Sequence, residues 1–139
     1  MSVEDNKKGQ TRIWEEVFNR GNFDVIPELI APEYTFHNPL GIQAEGPEGF
    51  RQMAAMLRTA MPDVHATVKE IFGEGDLVAN RVNLTGTFQH EMMGMAPTGR
   101  KLDITSIIIT QWRDGREIEA WEAVDTLGFM QQLGVPVPA

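Results

Sequence analysis

Residues 112–134, WRDGREIEAWEAVDTLGFMQQLG, constrain the fold more than any other stretch. Asp114-Gly115 is the clearest turn in the chain, because both residue types tolerate the left-handed backbone of a tight hairpin. A hairpin there joins a strand over 101–113 to one over 116–125. A helix over 126–133 then closes on Gly134, with Asp125 or Thr126 as its N-cap. An acid at the end of an otherwise packed strand, here Asp125, is where chemistry is expected.

Upstream the apolar spacing is helical. Ile13, Trp14, Val17 and Phe18 form one stripe of a helix predicted over 5–20, stopped near Gly21. A second short helix is predicted over 23–30, with Pro27 in its first turn and Ala31-Pro32 ending it. Residues 34–38 read as a short extended segment and 39–46 as loop. Pro47 opens a third helix, with Phe50, Met53 and Leu57 on its apolar face, and Pro62-Asp63 ends it. From residue 64 the period shifts towards two: a strand over 64–72, a turn at 73–76, a longer strand over 77–89, and a loop over 91–100 punctuated by Gly and Pro. Three helices, an antiparallel meander and a helical tail make an α+β chain. Long curved strands with helices on one side form a cone, whose mouth is a usual place for a small-molecule pocket.

Bulk properties narrow the function. The chain of 139 residues suits a single domain spanning 1–139. A net charge of −8 disfavours nucleic acid as a partner, since phosphate neutralisation needs clustered Lys and Arg. The absence of cysteine excludes disulfides, thiolate metal sites and a Cys nucleophile. The polar start MSVEDNKKGQ has no signal-peptide core, and no apolar run approaches a membrane span, so a cytoplasmic protein with no membrane partner is expected. His37, His65 and His90 lack metal-ligand spacing, so no metal is expected. Pro97-Thr98-Gly99-Arg100 lacks phosphate-loop spacing, and neither Ser2 nor Ser106 has a nucleophile-elbow motif.

The motifs occur in a familiar order: Trp14-Glu15-Glu16-Val17-Phe18-Asn19-Arg20-Gly21, Leu29-Ile30-Ala31-Pro32-Glu33-Tyr34, Gly46-Pro47-Glu48-Gly49-Phe50, Met61-Pro62-Asp63, Asp114-Gly115-Arg116, Trp121 followed by Asp125, and Gln131-Gln132-Leu133-Gly134. Over nearly its whole length the chain resembles the SnoaL-like polyketide cyclase (ester cyclase) family of the nuclear transport factor 2-like superfamily. The resemblance implies a cone-shaped fold, a curved antiparallel sheet with helices on its concave side enclosing a pocket. It also implies a homodimer through the outer sheet face, a small-molecule substrate, and intramolecular aldol ring closure with no metal or cofactor. An aspartate near the end of the last strand then acts as general acid/base, and Asp125 matches it. An apolar pocket would raise its pKa towards a useful value. The alternative role for Asp125 is the N-cap alone, and one residue can do both.

Other candidates follow from the same picture. His37 is placed as a catalytic partner to Asp125, or as a structural histidine bonded to backbone. Trp121, Gln111, Asp103, Asn83, Phe88, His90 and Met93 are expected to bind substrate. Met92, Met93 and Met95 read as a pocket lid or as a loop packed on the core. The hairpin register decides which groups meet. A three-residue turn with a glycine bulge sets Asp125 opposite Asp103 and Trp121 opposite Ile107, gathering polar groups on the pocket face. A two-residue turn gives Ile104 and Ile108 as partners. The bulged turn is the favoured reading.

Limonene-type epoxide hydrolases share the layout, but Asn83 and Ala123 stand where their two acids would be, which argues against that activity. The remaining alternative is a non-catalytic binding or structural dimer of the same fold.

Overall fold

The computed structural model describes residues 2–136, so residue 1 and residues 137–139 of the expected domain lie outside the described region. Helix α1 (Val3–Arg12) opens on Ser2, whose hydroxyl accepts from Asp5 while the Asp5 carboxylate bonds back to the Ser2 amide. The chain continues without a break into a π-helical segment, Ile13–Asn19. The single helix expected over 5–20 is therefore two helical forms. All four residues of the apolar stripe are buried. A 3₁₀ turn (Phe23–Val25) and the short α2 (Ile26–Leu29) follow, with Pro27 in the first turn.

Strand β1 (Ile30–His37) is longer than the extended segment expected, and it begins where the second helix was expected to end. It pairs parallel with β5 (Arg116–Val124), so the sheet is mixed rather than purely antiparallel. Pro32 is tolerated because β1 is an edge strand and its register slips between Ile30 and Thr35. Helix α3 (Gly46–Ala60) carries Pro47 in its first turn. β2 (His65–Glu74), β3 (Leu77–Thr87) and β4 (Lys101–Arg113) complete a five-stranded sheet ordered β1-β5-β4-β3-β2, and α4 (Thr126–Leu133) ends on the left-handed Gly134.

The helices cover one face of the sheet. One apolar cluster joins Trp14, Phe18, Tyr34 and Phe50 to Val82 and Ile108. A second joins Met61, Phe88, Met92 and Leu102 to Phe129 and Leu133. Gly9, in the interior of α1, leaves room for Trp112: a Cβ there would lie 2.8 Å from the indole ring. No helix among the described residues is long and apolar enough to cross a membrane.

The hairpin follows neither expected register. Asp114 and Gly115 both have positive φ (52° and 79°), the two-residue turn, and Trp112 opposes Glu117. One residue, Ile118, is then extra: Gln111 opposes Glu119, and Trp121 opposes Ile109. A β-bulge of one residue exchanges the two faces of everything beyond it. Glu117 points inward before the bulge. After it, Ala120, Glu122 and Val124 take the inner side, and Glu119, Trp121 and Ala123 the outer.

Candidate active site

The main pocket lies between the inner sheet face and the helices and has a volume of about 90 Å³. Its floor is built from Val82 and Leu84 on β3 and Ile104, Ser106 and Ile108 on β4. Trp14 and Phe18 come from the π-helical segment, with ring centroids 5.0 Å apart. π-helical turns of this kind often occur at functional sites, because the extra residue re-aims side chains. The Trp14 Nε1–H donates to Asn80 Oδ1 at 2.8 Å, and Asn80 Nδ2 donates to the Ile108 carbonyl at 2.9 Å. Both polar groups are thus satisfied in the core, and the indole is fixed in the wall.

Two loops form the mouth. Asn38 organises the first: its Oδ1 accepts from the Leu40 and Ile42 amides, and its Nδ2 donates to the Ile42 carbonyl. That arrangement turns Leu40 and Ile42 into the pocket lining. The second loop makes a tight turn in which Met92 and Met95 exchange backbone bonds, with Met93 and Gly94 at positive φ. Met92 is buried, whereas Met93 is 41% exposed at the mouth.

Among the lining residues Glu122 supplies the only carboxyl and Ser106 the only hydroxyl. Burial pushes the Glu122 carboxyl above its ordinary value of 4.5, and the Ser106 hydroxyl beside it works the other way. A carboxyl desolvated by apolar walls becomes a stronger base when ionised and holds its proton longer when neutral.

Of the nine residues expected at the site, the structure brings only Met93 into this pocket. Asp125 is exposed and caps α4, accepting from the Gly128 amide at 2.9 Å. His37 and Trp121 lie on the outer face with rings stacked at 5.7 Å, and His37 Nε2 meets Glu119 Oε2 at 2.7 Å. Gln111 bonds Asp76, and Asn83 bonds Asp103, both outside the pocket. Phe88 is buried in the second apolar cluster, and His90 is exposed. Arg81, beside Asn83 in sequence, pairs with Glu70 on the outer face, and Ala123 lies there too. For Trp121, Ala123 and Asp125 the bulge at Ile118 is the reason, since an unbulged β5 would have turned them inward.

Glu122, Ser106 and Asn38 had no role in the sequence reading. The alternation on β4 could have pointed to Ser106, but Ile107 and Ile109 on the outer face blurred which side was apolar. Among the described residues no group of three or more His, Asp or Glu is placed to hold a metal ion.

A curved mixed sheet wrapped by helices around an apolar-lined pocket is the architecture of the cone-shaped nuclear transport factor 2-like class. Within it, the chain belongs to the SnoaL-like polyketide cyclase family, whose profile matches residues 10–133. It is 32% identical over 126 residues to aklanonic acid methyl ester cyclase AcmA from Streptomyces galilaeus, covering 88% of this chain and 87% of the relative. Its structure is similar to that of IdmH from Streptomyces antibioticus, with a TM-score of 0.77 at 34% identity over 94% of this chain and 99% of IdmH. A SnoaL-like protein from Jannaschia sp. CCS1 superposes with a TM-score of 0.86 at 25% identity, over 97% of this chain and 95% of that one.

Proposed function

We propose that the protein is a cyclase-type enzyme that performs acid/base chemistry on a small apolar carbonyl compound, with Glu122 as the proton carrier. The observation that carries this reading is a single desolvated carboxyl in an otherwise apolar pocket. The Glu122 carboxylate takes a proton from the carbon beside a carbonyl, and the C–H electron pair becomes the enolate. The enolate carbon attacks a second carbonyl of the same molecule, and the C=O π pair moves onto that oxygen. The Glu122 carboxyl then returns its proton to the alkoxide, which restores the base. Ser106 orients the carboxyl, and Trp14 and Phe18 offer flat apolar surface to the carbon skeleton. At about 90 Å³ the pocket is smaller than the ~150 Å³ of an apolar cavity that admits benzene. Even a single ring therefore requires the Met93 side of the mouth to open.

The relatives' names support a ring-closing reaction, and the position of Asp125 favours the cap role for that residue. The test is α-proton exchange of 2-indanone in deuterated buffer, followed by NMR. Glu122→Gln is expected to lose on the order of 100-fold or more of the enzymatic rate. Asp125→Asn is expected to keep that rate, because asparagine also caps helices. The reverse pattern would return the catalytic role to Asp125. Because the carboxylate is the base and its pKa is raised, the exchange rate should rise with pH through a value above 4.5.

The protein is also proposed to form a homodimer through its outer sheet face. Phe72, Leu77, Ile107, Ile109 and Trp121 are each at least 38% exposed. The registers place Phe72, Ala79, Ile109, Trp121 and His37 in one row across all five strands. A row that is apolar up to its terminal His37 marks an interface. Sedimentation at micromolar concentration should give about twice the mass of one chain.

A further inference from the structure

Behind the main pocket lies a second cavity of about 40 Å³, lined by Gln10, Tyr34 and Glu117 among apolar neighbours. The two cavities share a wall made of Trp14, Phe18, Phe36, Met53 and Ile108. Two oxygens of the inner cavity's polar residues have no partner, Glu117 Oε2 and Gln10 Oε1. Their residues are 3% and 2% exposed. Both are held there by the fold: Glu117 faces inward because it precedes the bulge, and Gln10 lies one helical turn before Trp14 on the buried side of α1. Buried oxygens without partners are uncommon, and each asks for a donor.

We propose that this inner cavity is a hydroxyl-binding subsite, in which an alcohol, phenol or enol group at the inner end of the ligand accepts a hydrogen bond from the Glu117 carboxyl and donates one to Gln10 Oε1. Water takes the same place when no ligand is bound. The volume admits a hydroxyl or one to two waters, and it is too small for a ring. A carbonyl oxygen fits less well, because it only accepts and leaves the Gln10 oxygen unpaired. Burial pushes Glu117 up to about 8, so it keeps its proton near neutrality and can donate. The titratable groups around it are Tyr34 on β1 and, further along β5, Glu122; burial first, and then both carboxyls, oppose ionisation of the Tyr34 phenol. The other elements around the cavity contribute Gln10, Phe50, Met53 and Ile108, none of them charged.

The inference rests on the main pocket being the ligand site, and binding can be read without any turnover. Phenol and toluene, matched in shape, serve as probes, and the full chain is titrated with each at pH 6.5 by NMR. Both should shift resonances of Met53 and Ile108, and phenol should bind at least several-fold tighter. Glu117→Leu should still bind toluene but lose the preference for phenol. Gln10→Leu tests the opposite wall and should show the same loss, which covers a Glu117→Leu chain that fails to fold. Equal affinities in the wild type, or an undiminished preference in the folded variants, would overturn the subsite while leaving the main pocket intact. If neither probe reaches Met53 and Ile108, the main-pocket reading fails and the subsite fails with it.

Discussion

On the inner face of β5, Glu117 and Glu122 lie among apolar side chains and are pushed towards their neutral forms. On the outer face of the same strand, Glu119 holds His37 and Trp121 stacks on that histidine in contact with water. The residue types overlap, so composition does not separate the two faces. What separates them is the extra residue at Ile118, which turns one set of side chains inward and the other outward. A buried acid is also far more consequential than an exposed one. An exposed pair such as His37–Glu119 is worth little to stability, whereas a desolvated carboxyl alters both pH dependence and chemistry.

The largest test of this comparison is removal of the bulge. Deleting Ile118 would drive Trp121 and Ala123 inward and Glu122 outward, leaving a mispacked core. The expected result is loss of cooperative unfolding and of near-ultraviolet dichroism. A variant that folds normally and keeps ketone exchange would show that the bulge does not set the faces.

Next in size is the pH dependence of stability. Glu117 has a folded pKa of about 8 against an ordinary value of 4.5, so the folded state binds more protons than the unfolded state between those values. The Glu117 contribution to stability is therefore fully present below about pH 4.5, falls as pH rises towards 8, and levels off above it. The whole fall amounts to at most roughly 5 kcal/mol. Glu117→Leu should flatten much of that slope and be the more stable protein at pH 8. Denaturant midpoints at several pH values measure this, and an unchanged slope would contradict a neutral, buried Glu117.

On the outer face, Ile109→Asp should halve the sedimenting mass without affecting ketone exchange, since the side chain points away from the pocket. The smallest expected effect is at the end of the strand. Asp125→Ala removes the bond to the Gly128 amide and should cost about 1 kcal/mol, a few degrees in Tm. A loss of exchange activity beyond that would tie Asp125 to the chemistry after all.

Much of the architecture was legible because local rules and tertiary packing agree. The stripe Ile13, Trp14, Val17 and Phe18 could face only the core, Pro27 and Pro47 could sit only in first turns, and Asp114-Gly115 could only reverse the chain, although the favoured three-residue turn gave way to a two-residue one. Pro32 misled in the other direction. As a local signal it ended a helix; in the sheet it sits on an edge strand, where its missing N–H costs nothing. The family was legible too, because its motifs mostly serve these turns and caps.

The sequence by itself determined most of the elements, their order, the family and the absence of thiol chemistry. These rest on short-range sterics, on periodicity and on residue inventory. The tertiary structure alone decided which acids of β5 are buried. That choice depends on the one-residue bulge at Ile118, and no local pattern in EIEAWEAVD encodes it. The stretch 112–134 is therefore still the centre of the molecule, with its proposed chemistry on Glu122 and Glu117 and its last acid at the start of a helix.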